Sequence, residues 1–264
     1  MNDNLLIRTY NRYIQKKIKR KQVINDEKQF KSDCEEYTMK NQYAPFSIDD
    51  KEIYPILDDR DKQAGYLDKH YFIQDIVMAN EIYKIRPKMH YDIGSRVDGF
   101  IAHLLSFDQE VTLLDFRPLD LVMNKLHFIQ TDATLLNEIE DESLDSLSSL
   151  HAIEHFGLGR YGDEINPSAC FIAMRKMQNK IKKKGMLYLS VPIGSKEKVC
   201  FNAHRVFSPK TIVNEFRSMT LVKFMYIQDM KLLEVENFEE FDWGGGGAKR
   251  VRLWIIYFPK IVCC

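Results

Sequence analysis

From residue 89 onward, short apolar runs alternate with amphipathic stretches. Runs at 89–93, 111–115, 127–131, 144–150, 186–191, 221–227 and 251–258 have the length of buried strands and are bounded by turn-forming or charged residues. Helical spacing fills several of the gaps. Phe72, Ile76, Met78, Ala79, Ile82 and Tyr83 predict a helix over 69–85 that stops before Pro87. Asn166-Pro167 reads as a cap and first-turn pair, followed by the stripe Cys170, Met174, Met177 and Ile181; Lys182 to Lys184 then oppose the helix dipole and Gly185 ends the helix. Ser208-Pro209 opens another, with Ile212, Val213 and Phe216 facing inward. Strands alternating with helices predict an α/β domain, a doubly wound, mostly parallel seven-stranded sheet covered on both faces.

Residues 1–68 follow a different pattern and are expected to form a helical or irregular N-terminal extension, with the α/β domain over 69–264. A basic stretch from Arg8 to Lys31 gives way to an acidic, proline-containing stretch through Asp61. Leu6, Tyr10, Tyr13 and Ile14 can share one helical face while Arg12, Lys16, Lys19 and Arg20 line another. That arrangement suits a solvated helix packed on the main domain, or weak contact with an anionic membrane surface. Gly244 to Gly247 reads as a mobile loop between the last two strands, or one closing over a substrate.

Composition narrows the partners. With 38 basic and 38 acidic side chains among 264 residues, no global field draws the molecule toward nucleic acid, and a small-molecule substrate is the simpler expectation. The five cysteines form no C-x-x-C pair and no zinc spacing, so no metal is expected. Their odd count and the absence of a signal-peptide pattern or a long uncharged apolar run point to a cytoplasmic protein. Cys263 and Cys264 do not fit the C-a-a-X prenylation pattern.

The chemistry concentrates at strand ends. "HYDIGSRVDGFIAHLL" places a strand, then Asp92, Gly94, Ser95 and Gly99, then a helix with Val97, Ile101, Leu104 and Leu105 inward: a turn where a ligand approaches the backbone. Asp115 closes the next run about twenty residues on, where a carboxylate can accept from both ribose hydroxyls. Asp132 follows the third run and can take an adenine amino group, with Ala133 beside the base. Arg96 occupies the second glycine position of a G-x-G-x-x-G loop, which disfavours a pyrophosphate and ranks an NAD(P)-binding oxidoreductase second.

The order Asp92-x-Gly94, Asp115, Asp132 and "SLDSLSSLHAIEHF" resembles the class I S-adenosylmethionine-dependent methyltransferases over residues 69–258. More narrowly, "HYDIGSRVDGFIAHL", "EHFGLGRYGD" and "HRVFSP" resemble the Domain of Unknown Function 268 family. The resemblance implies a Rossmann-like sheet with its last strand antiparallel. It also implies an S-adenosylmethionine site built by Asp92, Gly94 and Gly99 at the methionine part, Asp115 at the ribose and Asp132 at the adenine. Arg96 departs from the glycine common there and would pair with the methionine carboxylate.

The acceptor is expected on the loop "HAIEHFGLGRYGD", where His155 is the candidate base, Glu154 its orienting partner, and Arg160 and Tyr161 candidate substrate contacts. A histidine there also serves simply by bonding a backbone carbonyl, and His151 is the lesser candidate. Tyr71, at the helix start, and His204 and Arg205, in "NAHRVFSP", complete the expected substrate contacts. The function expected is methyl transfer to an oxygen or nitrogen of a small molecule, with a sugar as the analogy-based example. A non-catalytic interaction protein of the same fold is the alternative.

Overall fold

The computed structural model describes residues 3–42, 47–49, 53, 55, 57, 69–194, 196–228, 231–238 and 253–259. The chain separates into two compact units, Met1–Leu67 and Asp68–Cys264. The first contains α1 (Asp3–Lys40), a helix that includes the whole basic stretch. The glycine run 244–247 and the pair Cys263 and Cys264 lie outside the described residues. Among the described residues no helix is long and apolar enough to cross a membrane.

The second unit opens with α2 (Lys69–Ile85), followed by β1 (His90–Ile93), a wide helical turn at Val97–Ile101 and α3 (Ala102–Ser106). β2 (Val111–Asp115), β3 (Leu126–Gln130) and β4 (Leu144–Leu150) come next, then α4 (Ala169–Lys180) and β5 (Ile181–Val191). A hairpin of β6 (Lys198–Cys200) and β7 (His204–Val206) precedes α5 (Pro209–Glu215). β8 (Lys223–Gln228), β9 (Lys231–Glu234) and β10 (Leu253–Pro259) complete it. The main sheet runs β3-β2-β1-β4-β5-β10-β8-β9. Its first five strands are parallel and β10 is antiparallel to both neighbours, which gives the doubly wound α/β fold. The order reverses between β1 and β4, so a crevice opens at their carboxyl ends, the place where such sheets hold ligands.

Among the described residues eight strands, not seven, form the sheet, because β9 adds to β8 at the edge. All four of its residues are exposed, so it carries no burial pattern for a sequence to display. Two packed layers sandwich the sheet. Met174 and Met177 of α4 and Ile212 and Phe216 at α5 join Leu147, Leu187 and Leu189 on one face; Met78 and Ile82 of α2 with Ile101 and Leu104 join Val111, Leu113 and Tyr188 on the other. Burying each such side chain contributes about 1.5–3 kcal/mol.

Three helix expectations are revised. Helix α2 buries Gln74, Asp75, Met78, Ala79 and Ile82 and leaves Phe72 and Tyr83 exposed. Its inner stripe is rotated because two polar residues are held inside, Gln74 Nε2 donating to Asp75 Oδ1 at 3.0 Å and Ser190 Oγ donating to Gln74. Helix α4 begins at Ala169, since Asn166 Oδ1 accepts from Ser168 N at 2.9 Å in a turn ahead of the helix. It ends at Lys180, and Lys182 to Lys184 run in β5 instead of its last turn. Lys182 pairs there with Asp145 of β4.

Candidate functional site

A cavity of ≈ 370 Å³ lies over the carboxyl ends of β3, β2, β1 and β4. Ile93, Leu114, Ala133, Ala152, Ala169 and Ile172 give it apolar walls, and Asp115, Asp132, His151 and His155 give it polar ones. Four segments far apart in sequence converge because parallel pairing aligns their strand ends.

At the end of β1, Gly94 has φ +73, and its N–H donates to Leu114 O at 2.9 Å. A Cβ there would stand 3.3 Å from the Ala152 side chain, so glycine brings bare backbone to the cavity wall. Asp92 is fully buried behind this turn, outside the cavity lining. Its Oδ1 accepts from Ser95 N at 2.9 Å, and its Oδ2 accepts from Ser95 Oγ at 3.0 Å and from Ser148 Oγ. Burial pushes its carboxyl up to about 6 against those hydrogen bonds. His90 continues the network, with Nε2 2.9 Å from Ser148 Oγ and Nδ1 2.8 Å from Ser146 Oγ. Burial drives its pKa down to about 3, leaving a neutral imidazole. Since Ser148 Oγ donates to Asp92, Nε2–H of His90 donates to Ser148 and Nδ1 accepts from Ser146. Asp92 and Ser95 therefore staple the loop to β4 and do not face the cavity.

Two other expected loop residues also turn away. Gly99 faces α2, where a Cβ would meet Asp75 Oδ2 at 2.7 Å. Arg96 is exposed and pairs with Asp98 at 2.7 Å. The reason is local: a two-residue ion pair on the solvent side satisfies the guanidinium before it can reach the cavity.

The adenosine-side candidates do converge. Asp115, at the tip of β2, lines the cavity, and Arg117 forks onto it through Nε–Oδ1 at 3.0 Å and Nη2–Oδ2 at 2.8 Å. Asp132, after β3, lines the same space with one oxygen accepting from Thr134 N at 2.8 Å. Ala133 beside it is buried in the wall.

On the far side, β4 ends at Leu150 and the chain turns through a tight helical turn at Ile153–His155. This turn corrects the expected pairing. Glu154, 1 % exposed, places Oε1 2.6 Å from His151 Nδ1 and 3.7 Å from His155 Nε2. His155 instead donates from Nδ1 to Ala203 O at 2.6 Å, and burial lowers its pKa despite the nearby Glu154. Both histidines line the cavity. Tyr71 meets His151 edge-on at 5.4 Å, and Tyr161 meets His155 edge-on at 5.8 Å. The Tyr161 ring also lies 4.9 Å from the Arg117 guanidinium and 5.1 Å from that of Arg160, which donates to Ala203 O.

Arg205 is committed elsewhere: it donates to Phe156 O at 2.6 Å, Glu154 O at 3.4 Å and Pro167 O at 3.3 Å. His204 pairs with Cys200 in the hairpin. Neither lines the cavity, because the hairpin braces the loop from behind. Asp163, on the loop where the acceptor is expected, and Gly157, which the sequence reading does not single out, both line the cavity. Asp163 accepts from the N–H groups of Gly157, Gly159 and Tyr161. Burial raises its pKa, but those donors outweigh burial and hold it below the usual carboxylate range.

No curated protein compared with the chain matches it. The 1,6-didemethyltoxoflavin-N1-methyltransferase of Burkholderia thailandensis, solved with 1,6-didemethyltoxoflavin and S-adenosylhomocysteine, superposes with a TM-score of 0.54 at 12 % identity. The match covers 74 % of this chain and 80 % of that one. The N-methyltransferase NodS of Bradyrhizobium japonicum, also solved with S-adenosylhomocysteine, gives 0.49 at 13 % identity over 74 % of this chain and 90 % of its own. The chain carries the Rossmann-like methyltransferase fold and resembles, over residues 122–233, the family described as Caenorhabditis protein of unknown function, DUF268.

Proposed function

We propose that the protein binds S-adenosylmethionine in the β3-β2-β1-β4 cavity and transfers its methyl group to an oxygen or nitrogen of a small molecule. One observation carries the reading: Asp132, Asp115, Gly94 and His151 stand in strand order around a single cavity. Neighbouring strands are about 4.8 Å apart, so the row spans ~14 Å, comparable with an extended adenosine bearing a methionine arm. The donor set fits that molecule. Apolar walls at Leu114, Ala133 and Ile172 suit a purine face, and two carboxylates suit an adenine amino group and a ribose hydroxyl. Gly94 leaves backbone bare where the methionine arm would lie.

When bound, S-adenosylmethionine supplies a methyl group already activated by its sulfonium. The protein's own contribution is alignment, exclusion of water and acceptance of a proton. His151, Ala152 and His155, next to Gly94 in strand order, border the end of the cavity where an acceptor would approach. The Burkholderia thailandensis methyltransferase solved with S-adenosylhomocysteine supports the reading at the level of fold.

Calorimetric titration with S-adenosylhomocysteine, with NAD as competitor, tests it. Binding is expected, with no competition from NAD. A hydrogen bond to a charged group contributes about 1.5–3 kcal/mol, so Asp115→Ala should weaken binding about tenfold to a hundredfold. No binding by the wild-type protein, or an unaffected Asp115→Ala, overturns the assignment.

A further inference from the structure

We infer that His151 is the general base of this site and Glu154 its positioning residue, and that the acceptor therefore presents a neutral O–H or N–H to Nε2 of His151. This rests on the methyl-transfer reading above and goes beyond it by naming the base and the protonation state of the acceptor.

His151 is the first residue after β4 and lines the cavity. Its backbone N–H donates to Ser190 O at 2.9 Å, which ties it to β5. Its φ of +54 turns it out of the strand direction, a conformation uncommon outside glycine. Among the described residues, Nδ1 has a short contact of 2.6 Å to Glu154 Oε1. An ionised Glu154 only accepts, so it holds the proton of a neutral ring on Nδ1 and leaves the lone pair at Nε2. The orienting carboxylate is almost entirely buried, and its Oε2 has no hydrogen-bond partner among the described residues. The carboxylate's charge is thus directed at His151 and, at 3.7 Å, the His155 ring.

His155 lacks this arrangement. Its Nδ1–H is spent on a neutral carbonyl, Ala203 O, so an imidazolium there gains less from its orienting partner. Glu154 Oε1 also stands on the Nε2 side of that ring, the side an acceptor would need. Strand order adds a second distinction. His151 is at the tip of β4, beside β1 and Gly94, whereas His155 lies further along the loop against the β6–β7 hairpin.

In the reaction, the acceptor's O–H or N–H bond breaks and its proton passes to Nε2. The electron pair released on oxygen or nitrogen forms the new bond to the methyl carbon, while the pair of the broken carbon–sulfur bond stays on sulfur. The resulting imidazolium is stabilised through Nδ1–H by Glu154, which remains a carboxylate.

Two-bond proton–nitrogen correlation spectra of the nitrogen-labelled protein at neutral pH read the tautomer without any turnover. The expected result is a protonated Nδ1 and a lone-pair Nε2 at His151. S-adenosylhomocysteine should shift the His151 ring signals, and Glu154→Gln should relax the ring to a mixture of tautomers. An Nε2–H tautomer in the wild type, or ring signals indifferent to bound S-adenosylhomocysteine, overturns the inference while leaving cofactor binding intact. Absence of S-adenosylhomocysteine binding overturns the methyl-transfer reading instead. With labelled S-adenosylmethionine and a panel of sugars, phenols and amines, His151→Gln should lose about a hundredfold or more in transfer. His155→Gln should lose less than about tenfold. The reverse order also overturns the assignment.

Discussion

Arg117 lays its guanidinium across the carboxylate of Asp115, two residues before it, and its own N–H donates to the same Oδ1 at 2.8 Å. A carboxylate offers about four lone-pair sites, so three are taken and one is left. A ribose diol needs two. Arg117 is 55 % exposed at its side chain, so its release to solvent costs at most about 1 kcal/mol.

Arg117→Ala should therefore tighten S-adenosylhomocysteine binding by up to about fivefold, since the carboxylate is then ready without displacement. Raising salt should narrow the difference between the two proteins, because the competing ion pair is screened in the wild type alone. Calorimetry across an ionic-strength series measures both. Weaker binding by the variant would mean that Arg117 contacts the ligand.

Where the backbone pattern decides the outcome, the sequence was legible. "VTLLD" is a continuous apolar run closed by a carboxylate, and β2 with Asp115 at its tip follows directly. Pro87 bounds α2 in the same way. Partner choice was not legible. Whether Glu154 meets His151 or His155 depends on one tight turn, which sets residues 151 and 154 side by side. Arg205 reaches Phe156 O across 49 residues, a contact no local pattern encodes. Asp92 illustrates the converse: the residue type and position are as expected, but the fold turns its carboxylate inward to Ser148.

The loop carrying the histidines depends on Gly157. At φ +72 any side chain is strained, and a Cβ would fall 1.9 Å from Asn166 O, a backbone atom that cannot yield without moving the chain into α4. Gly157→Ala should lower stability by at least about 2 kcal/mol. Urea unfolding measures this, and a loss within about 0.5 kcal/mol, the range of a neutral surface change, would show that the loop is not held as described.

Arg205 makes the complementary case. Its guanidinium satisfies three carbonyls of that loop, so Arg205→Met keeps the apolar stem and removes the donors. The expected cost is about 1–3 kcal/mol of stability, with faster amide exchange in residues 155–163. A variant of unchanged stability with lost acceptor binding would return Arg205 to the substrate-contact role first expected of it.

Asp92 makes stability depend on pH in a direction opposite to most carboxylates. Its carboxyl is raised from 3.8 to about 6 in the folded protein, so between those values the folded state holds more protons than the unfolded one. Stability from this group is fully present below 3.8 and is lost as pH rises through 6. His90, depressed from 6.5 to about 3, acts the other way: its neutral form supports the fold above 6.5, and that support fades as pH falls toward 3. The two slopes oppose each other across the overlap, so neither is visible in the wild-type curve alone. Asp92→Asn removes one of them. Its amide also puts an N–H toward Ser95 or Ser148, a cost that does not vary with pH. The free-energy difference, variant minus wild type, should rise by about 2–3 kcal/mol between about pH 4 and 6.5, with a slope of at most about 1.36 kcal/mol for each step of one in pH. Parallel urea titrations across that range read the difference directly. A difference that stays flat would place the Asp92 carboxylate in contact with water, and would release from β4 the loop that Asp92 otherwise staples there.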